Sequence, residues 1–344
     1  MSPLGGLCGN VQDRLAAQLR LRLAHLPTPL EPLERLSADL GGPRILVKRD
    51  DCTGLGLGGN KTRKLEFLLA EAAAQGADTV ITTGGIQSNH VRQTAAAAAK
   101  LGLACELVLT RVVPWGGPDY ELSGNIQLDR LFGAKLHLHD GDTDRIAAME
   151  SLAESLRRSG RSPYLIPTGG SNAIGALGYV AAAVELAGQL GEAGEKVAAV
   201  VHACSSGGTQ AGLTAGFAAL APDVRVIGID VDANPQAVSA EVQRLAGEVW
   251  SHLSLPGSFP DEKVMLQPGY AGAAYGLPTE EMRAAVLRTA RLEGLLLDPV
   301  YSGKAMAGLI GMIEAGDFGS NETVVFLHTG GMPALFPYRD ALND

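Results

Sequence analysis

The segment from Gly58 to Lys64 combines residue types that could support amine chemistry. It follows a glycine-rich loop and opens a predicted helix, so Lys61 would meet the positive end of the helix dipole. Arg63 and Lys64 add further positive charge. Both effects would lower the pKa of the Lys61 amine, as a lysine that forms a Schiff base requires. The alternative is a solvated basic helix start.

A second segment, Thr83 to His90, also joins a predicted strand to a predicted helix. Backbone N–H groups at such a turn, together with the side chains of Ser88 and Asn89, suit a bound carboxylate. Ser88 could instead serve only as the N-cap residue of the helix. The segment therefore predicts either a carboxylate site or an ordinary helix cap.

A third segment, Ala203 to Gln210, directly follows the most apolar predicted strand. Its glycines let the backbone approach an anion, and its N–H groups could cradle phosphate oxygens. It contains neither a Walker lysine nor a G-x-G-x-x-G pattern. A tight turn without a ligand is the alternative.

Two further segments place hydroxyl groups beside glycines after predicted strands, namely Asp298 to Lys304 and His328 to Met332. A lone tyrosine such as Tyr301 or Tyr275 is more often a packing residue. A phosphate loop, a lysine at a helix start, a carboxylate-type loop and an aromatic ring together indicate pyridoxal phosphate, with its aldehyde bonded to Lys61.

Strand-like and helix-like segments alternate along most of the chain, which predicts parallel sheets with helices on both faces. The predicted strands are 44–48, 79–83, 105–109, 135–138, 164–166, 197–201, 224–230, 295–297 and 323–328. The predicted helices are 11–23, 63–75, 88–101, 125–132, 149–159, 175–189, 212–220, 278–293 and 304–315. Two runs of alternation predict two doubly wound α/β domains that meet near Thr168 to Asn172. Ligands bind at the carboxyl ends of such strands, where the four groups of segments lie.

The composition excludes several classes of protein. Charged residues make up 19% and hydrophobic residues 46% of the chain, which excludes a disordered protein. A net charge of -9 without a basic run argues against a nucleic-acid binder. No apolar run long enough for a membrane span and no signal peptide are evident, so a cytoplasmic protein is expected. The widely spaced cysteines predict free thiols and are Cys8, Cys52, Cys105 and Cys204.

Other functional classes receive less support. A nucleotide-binding oxidoreductase would need a G-x-G-x-x-G motif after its first strand, followed by an acidic residue about 20 positions later, and neither is found. No metal site is expected, because the histidines are scattered and His137 and His139 have no third ligand nearby. A catalytically inactive protein that binds a small ligand remains the non-enzyme alternative.

Two motifs carry a resemblance to a known family. Gly59 to Glu66 and Gln87 to His90 are similar to the D-cysteine desulfhydrase and 1-aminocyclopropane-1-carboxylate (ACC) deaminase family, among the tryptophan synthase β-like (fold type II) pyridoxal-phosphate enzymes. The resemblance runs from His25 to Gly331. It implies a small domain, residues 64–170, inserted into a large cofactor-binding domain made of residues 1–63 and 171–344. It also implies a homodimer that acts on a small amino acid.

The resemblance also implies roles for individual residues. The catalytic residues it implies are Lys61, Ser88, Tyr275 and Tyr301. The cofactor-binding residues it implies are Asn60, Lys61, Lys64, Asn89, Ser205, Ser206, Gly207, Gly208, Thr209, Tyr301, Ser302 and Thr329. The substrate-binding residues it implies are Gln87, Ser88, Asn89, His90, Gly170 and Met332.

Two positions bear on the reaction. ACC deaminases of this family carry a glutamate directly after the ring-packing tyrosine and a leucine after the Thr-Gly-Gly, where this chain has Ser302 and Met332. A serine would hydrogen-bond a neutral pyridine nitrogen and make the ring a weaker electron sink. The resemblance thus implies β-elimination from D-cysteine, giving pyruvate, hydrogen sulfide and ammonia. ACC deamination to 2-oxobutanoate and ammonia, and sulfite release from L-cysteate, remain alternatives.

Overall fold

Two separate β-sheets organise the computed structural model, which describes residues 11–342. The strands are β1 Leu30–Pro32, β2 Arg44–Arg49, β3 Thr79–Gly85, β4 Ala104–Thr110, β5 Lys135–His139, β6 Pro163–Ile166, β7 Ala199–Cys204, β8 Arg225–Asp230, β9 Met265–Gln267 and β10 Thr323–His328. The larger sheet has the order β1-β2-β10-β7-β8-β9, and the smaller sheet has the order β5-β4-β3-β6. All neighbours pair in parallel except β1, which runs antiparallel to β2.

Helices cover both sheets. They are α1 Glu34–Leu40, α2 Lys61–Ala74, α3 Asn89–Leu101, α4 Pro118–Leu122, α5 Asn125–Leu131, α6 Arg145–Arg158, α7 Ala173–Ala193, α8 Gly208–Leu220, α9 Pro235–His252, α10 Glu280–Glu293 and α11 Ser302–Glu314. This arrangement confirms the predicted α/β fold class with mostly parallel sheets. The two sheets are built from separate parts of the sequence, although the domain limits at 63/64 and 170/171 stay a prediction.

The helix α2 joins the cores of the two sheets. Its Phe67 packs in the cluster that contains α7, α8 and the larger sheet. Its Leu65, Leu68 and Leu69 pack in the cluster that contains β3, β4 and α3. A helix that is buried on several sides in this way is held rigidly. Lys61, its first residue, is therefore fixed between the two sheets.

Among the described residues, α7 is the one helix that is long and apolar enough to cross a membrane. It packs against α8 in the core, and 61% of its most apolar window is buried inside the protein. A core helix of a folded protein has this same composition.

Several predicted elements differ from the structure. Residues 295–297 form no strand, although Leu295 and Leu297 are buried and Leu296 is exposed as in a strand. The carbonyl of Leu296 instead contacts His328 Nε2 at 2.9 Å. Within the described residues, the helix predicted over residues 11–23 ends at residue 16. Cys8 lies outside the described residues.

Candidate active site

The two sheets point the carboxyl ends of their strands toward one cavity of about 590 Å³. The residues after β3, β6, β7 and β10 all line it, as expected for parallel sheets. The predicted site residues that line it are Asn60, Lys61, Ser88, Asn89, His90, Ser205, Ser206, Gly207, Thr209, Tyr275, Tyr301 and Thr329. Residues that lie more than 200 positions apart in the sequence thus meet at one place.

Lys61 lies at the N-terminus of α2 and lines this cavity. Burial lowers the pKa of its amine from 10.5 to about 8. The amine makes no hydrogen bond to any other described residue. A neutral lysine amine with a free lone pair is a nucleophile and a base.

The lowered pKa of Lys61 has a different cause from the one expected from the sequence. The guanidinium of Arg63 is fully buried, but it is paired with Asp50 at 2.8 Å and with Glu185 at 2.9 Å. The sequence predicted that the charge of Arg63 lowers the pKa of Lys61, but these two carboxylates neutralise that charge. Burial and the charge of Lys61 hold the pKa of the Lys64 amine well below its usual value. Burial, rather than neighbouring cations, is the main cause at Lys61.

The loop between β7 and α8 is built to approach a ligand closely. Gly207 has a φ of 77°, a conformation that favours glycine. A Cβ added at Gly208 would lie 2.7 Å from Ser171 Oγ and 2.9 Å from Lys64 Nζ. The amides of Thr209 and of the residues beside it begin α8, where N–H groups have no partner within the helix. The N–H of Gly208 donates to Ser171 Oγ at 3.3 Å, and the helix N-terminus that follows offers the N–H donors that suit an anion.

Side chains link this loop to the rest of the site. Asn60 Nδ2 donates to Thr209 Oγ1 at 3.0 Å, which joins the residue before Lys61 to the α8 N-terminus. Ser206 Oγ and Ser171 Oγ are 2.8 Å apart. Ser205 Oγ donates to Asp232 Oδ1 at 3.2 Å. The glycine loop and the helix that carries Lys61 are thus held at a fixed separation.

The segment before α3 holds a second set of donors. Ser88 Oγ accepts a hydrogen bond from Val91 N at 3.3 Å, so Ser88 is the N-cap of α3 and also lines the cavity. Asn89 Oδ1 accepts from Asn125 Nδ2 at 2.9 Å. Gln87 does not line the cavity, because its side chain bonds Asn125 N and the carbonyls of residues 120 and 123. Gln87 therefore holds the chain behind the site.

Two tyrosines close another side of the cavity. The hydroxyls of Tyr275 and Tyr301 are hydrogen-bonded to each other, and their rings meet edge to face with centroids 6.0 Å apart. Burial raises the pKa of Tyr275 to about 12 and that of Tyr301 well above its usual value. Both hydroxyls therefore stay protonated at neutral pH and can act as donors.

Ser302 and Thr329 both carry a hydroxyl in segments that the sequence assigns to the site, but their surroundings differ. Ser302 does not line the cavity, and its Oγ donates to Asp298 Oδ1 at 2.6 Å. Asp298 also accepts from the backbone N–H groups of residues 300, 301 and 302, so it fixes the turn that presents Tyr301. Thr329 lines the cavity. Of these two residues, Thr329 is therefore the one that lies at the site.

The remaining predicted residues lie around the cavity. His90 Nε2 is 2.8 Å from Thr82 Oγ1, and burial holds the pKa of His90 well below its usual value, so the ring is neutral. Gly170 and Met332 do not line the cavity, and Lys64 and Gly208 lie just behind its wall. His137, on the edge strand β5, pairs with Glu106 at 2.6 Å. Within residues 11–342, no cluster of three or more histidine, cysteine or acidic side chains could hold a metal.

Sequence reasoning missed several cavity residues. Val112 and Arg145 follow β4 and β5, and Asp232 follows β8 by two residues. Applying the strand-end rule to every strand, not only to glycine-rich loops, would have selected all three. Cys204 and Glu241 also line the cavity. Burial raises the pKa of the Cys204 thiol to about 12, so it is not a thiolate at neutral pH.

Comparisons with known proteins agree with this geometry. The family model for pyridoxal-phosphate dependent enzymes matches residues 21–330. A D-cysteine desulfhydrase of Klebsiella pneumoniae (strain 342) is 47% identical over 323 residues, which cover 94% of this chain and 97% of that protein. A crystal structure of an ACC deaminase homologue superposes with a TM-score of 0.88 at 38% identity and covers 99% of both chains. The fold is also similar to that of an O-ureido-L-serine synthase, with a TM-score of 0.67, 18% identity and 96% of each chain covered.

Proposed function

The chain belongs to the pyridoxal-phosphate dependent enzymes, in the family of D-cysteine desulfhydrase and ACC deaminase, and from this premise we propose that it converts D-cysteine and water to pyruvate, hydrogen sulfide and ammonia. The observation that carries the proposal is the near full-length similarity to a D-cysteine desulfhydrase. The sulfur would leave from Cβ after a proton is removed from Cα.

The residues of the cavity fit pyridoxal phosphate. Lys61 offers an amine whose pKa burial lowers to about 8, so a reactive neutral fraction is present near neutral pH for the cofactor's aldehyde. Gly207 lines the cavity at the α8 N-terminus, and Gly208 packs so closely against Ser171 and Lys64 that the loop forms a tight cradle with no room for a Cβ. Such a cradle suits the phosphate group. When bound, this cofactor supplies a ring that accepts the electron pair left at the substrate's Cα.

We assign the proton transfers to three side chains. Lys61 Nζ, with a pKa of about 8, can accept the Cα proton near neutral pH. The linked hydroxyls of Tyr275 and Tyr301 remain protonated, so they can donate a proton to the departing sulfur. With that proton the sulfur leaves as hydrogen sulfide, which is a better leaving group than a sulfide anion, and this donor therefore lowers the barrier.

The substrate carboxylate would be held at the start of α3. Ser88 has a hydroxyl hydrogen that its capping bond from Val91 N does not use, since Ser88 Oγ is the acceptor there. The first N–H groups of α3 add donors and the positive end of the helix dipole. The neutral ring of His90 lines the same side. This assignment gives the carboxylate a polar site opposite the tyrosines.

The test is a comparison of products from matched substrates. The cofactor-loaded protein is given D-cysteine, L-cysteine, ACC and L-cysteate, and pyruvate, sulfide, 2-oxobutanoate and sulfite are measured. We expect equal amounts of pyruvate and sulfide from D-cysteine, and none from a Lys61→Ala variant that remains folded. Fastest turnover of another substrate would refute the proposed substrate.

ACC deamination is the second candidate, because the structural neighbour with a TM-score of 0.88 is described as an ACC deaminase homologue. Release of 2-oxobutanoate at a rate equal to or above that of pyruvate would favour it. Sulfite release from L-cysteate would favour the third alternative.

We also propose a cytoplasmic homodimer. The described cysteines are free thiols, which suits a reducing compartment, and they are Cys52, Cys105 and Cys204. Light scattering coupled to gel filtration measures the mass in solution. A mass near the 35.6 kDa of one chain at working concentration would contradict the dimer.

A further inference from the structure

We propose that Arg92 is a positioning residue for Lys61, which it holds in place through the glycine-rich loop that precedes the lysine. The proposal rests on the assignment of Lys61 as the cofactor-binding lysine. It adds a residue that lies outside the cavity and has no place in the reaction described above.

The loop from Gly54 to Gly59 has an unusual backbone. Its φ angles are positive at Gly54, Gly56, Gly58 and Gly59, and Leu57 also has a φ of 69°. A residue with a side chain rarely adopts this conformation, because its Cβ then lies too close to the backbone. Such a loop keeps its shape only if the surrounding structure holds it.

Arg92 supplies that support. Its side chain is completely buried, with one terminal nitrogen donating to the carbonyl of Gly56 and the other to the carbonyl of Gly58 at 2.9 Å. No side chain fits at Gly58, since a Cβ there would lie 2.0 Å from the carbonyl oxygen of Asp51. One planar guanidinium therefore fixes two carbonyls of the loop at once.

The loop transmits this position to Lys61. Thr53 Oγ1 donates to the carbonyl of Gly59 at 2.9 Å, and the next residue, Asn60, donates its N–H to Thr329 O at 3.0 Å. Lys61 follows directly as the first residue of α2. A shift of the carbonyls that Arg92 holds would therefore move the start of the helix and the Lys61 amine.

Asp129 on α5 is the acidic residue whose field acts on Arg92, but burial raises the pKa of the Asp129 carboxyl well above its usual value. Both carboxylate oxygens of Asp129 are buried and have no hydrogen-bond partner, and the same is true of Arg92 Nε. Asp129 therefore does not pair directly with the Arg92 guanidinium. A buried guanidinium without a direct carboxylate partner is costly. Its bonds to the loop explain why a charge is placed there.

The experiment compares variants of Arg92 with a matched destabilised control. Arg92→Met removes the donors but keeps the length, and Arg92→Lys keeps the charge on a single amine. Leu107→Ala removes a buried side chain from β4 and leaves Arg92 with both of its donors to the loop. For each apoprotein we measure the melting temperature and the rate of covalent attachment of pyridoxal phosphate at saturating cofactor, followed by visible absorbance.

We expect attachment in Arg92→Met to be slowed about tenfold or more relative to Leu107→Ala at an equal loss of melting temperature, because a small misplacement of a reacting group is costly. Arg92→Lys should be intermediate. Equal rates in Arg92→Met and Leu107→Ala would overturn the proposal. If Arg92→Met does not fold, a wild-type rate in Arg92→Lys overturns it and a slowed rate supports it.

The readout separates this proposal from the proposed function, because it needs no amino-acid substrate. Failure of D-cysteine turnover with normal cofactor attachment would contradict only the substrate. Covalent attachment in a Lys61→Ala variant would overturn the Lys61 assignment and, with it, the role of Arg92.

Discussion

The Lys61 amine provides a direct test of what lowers its pKa, because two physical causes predict different behaviour of one variant. Burial lowers this pKa from 10.5 to about 8. At pH 7, an amine with a pKa of about 8 is neutral about 10% of the time, against about 0.03% for a pKa of 10.5. The site therefore increases the reactive fraction of Lys61 about 300-fold over an ordinary lysine.

The assay is the rate of covalent attachment of pyridoxal phosphate to the apoprotein at saturating cofactor, measured from about pH 6 to about pH 10. We expect the rate to rise about tenfold per pH unit and to reach half of its maximum near pH 8. In Lys64→Met the midpoint should stay near pH 8, because burial rather than the neighbouring cation lowers the pKa of Lys61. Lys64→Arg, which places a permanent charge there, is the matched control.

Two results would refute this reasoning. A wild-type midpoint near 10.5 would show that the cavity does not lower the pKa of Lys61 at all. A midpoint that rises by about one pH unit or more in Lys64→Met, but not in Lys64→Arg, would show that the neighbouring charge is the main cause. That second outcome would support the expectation from the sequence that neighbouring positive charges lower the pKa of Lys61.

Three further predictions concern cofactor binding, stability and the ring contact. Gly208→Ala should weaken pyridoxal-phosphate binding about tenfold or more in an absorbance titration, because the added Cβ would approach polar atoms within 3 Å. The control is Gly188→Ala, whose Cβ would have no atom within 4 Å and which should bind the cofactor normally. Hydrogen bonds from the buried cations Arg63 and Lys48 lower the pKa of Glu185 to about 2. The ionised Glu185 therefore stabilises the folded protein by about 3 kcal/mol above pH 4.5, and this stabilisation is lost as the pH falls toward 2. Urea unfolding of the apoprotein should accordingly show Glu185→Gln losing stability at pH 7 and little at pH 2.5, and equal losses at both would contradict the assignment. Thr329→Val should reduce kcat with little change in melting temperature, whereas Ser302→Ala should mainly lower the melting temperature. A lower melting temperature in Thr329→Val together with a lower kcat in Ser302→Ala would contradict the positions of these two residues.

The alternation of elements could be predicted from the sequence because its signals are local. Apolar runs such as residues 199–204 are buried on both faces of the sheet, and glycines end the helices before them. The helix α9 also carried a local signal that was not used, with Asn234 as N-cap, Pro235 at its first turn and buried residues at helical spacing. Strand order could not be predicted, because β10 lies between β2 and β7 through contacts distant in sequence.

Some features of the site could be predicted from residue type and spacing, whereas features that depend on which side chains are buried together could not. Lys61 and the glycines of the α8 loop stand out by type and spacing alone, and they line or support one cavity. The pairing of Arg63 with Asp50 and Glu185 is invisible in the sequence, because the three residues come from separate elements. A cation that seemed to tune Lys61 is in fact neutralised by this pairing.

Ser302 shows how this limit affects the choice of reaction. From the sequence, Ser302 in place of glutamate argues for a weaker electron sink and therefore for elimination over ring opening. In the structure its hydroxyl donates to Asp298, which needs that bond to fix the turn before Tyr301. A hydroxyl proton given to a carboxylate is not available to a neutral ring nitrogen. Contact of Ser302 with the ring stays a prediction, and Thr329, which lines the cavity, is the better candidate for that contact. D-cysteine is still favoured over ACC as the substrate, because threonine, like serine, cannot supply the negative charge that a glutamate would place beside the ring nitrogen.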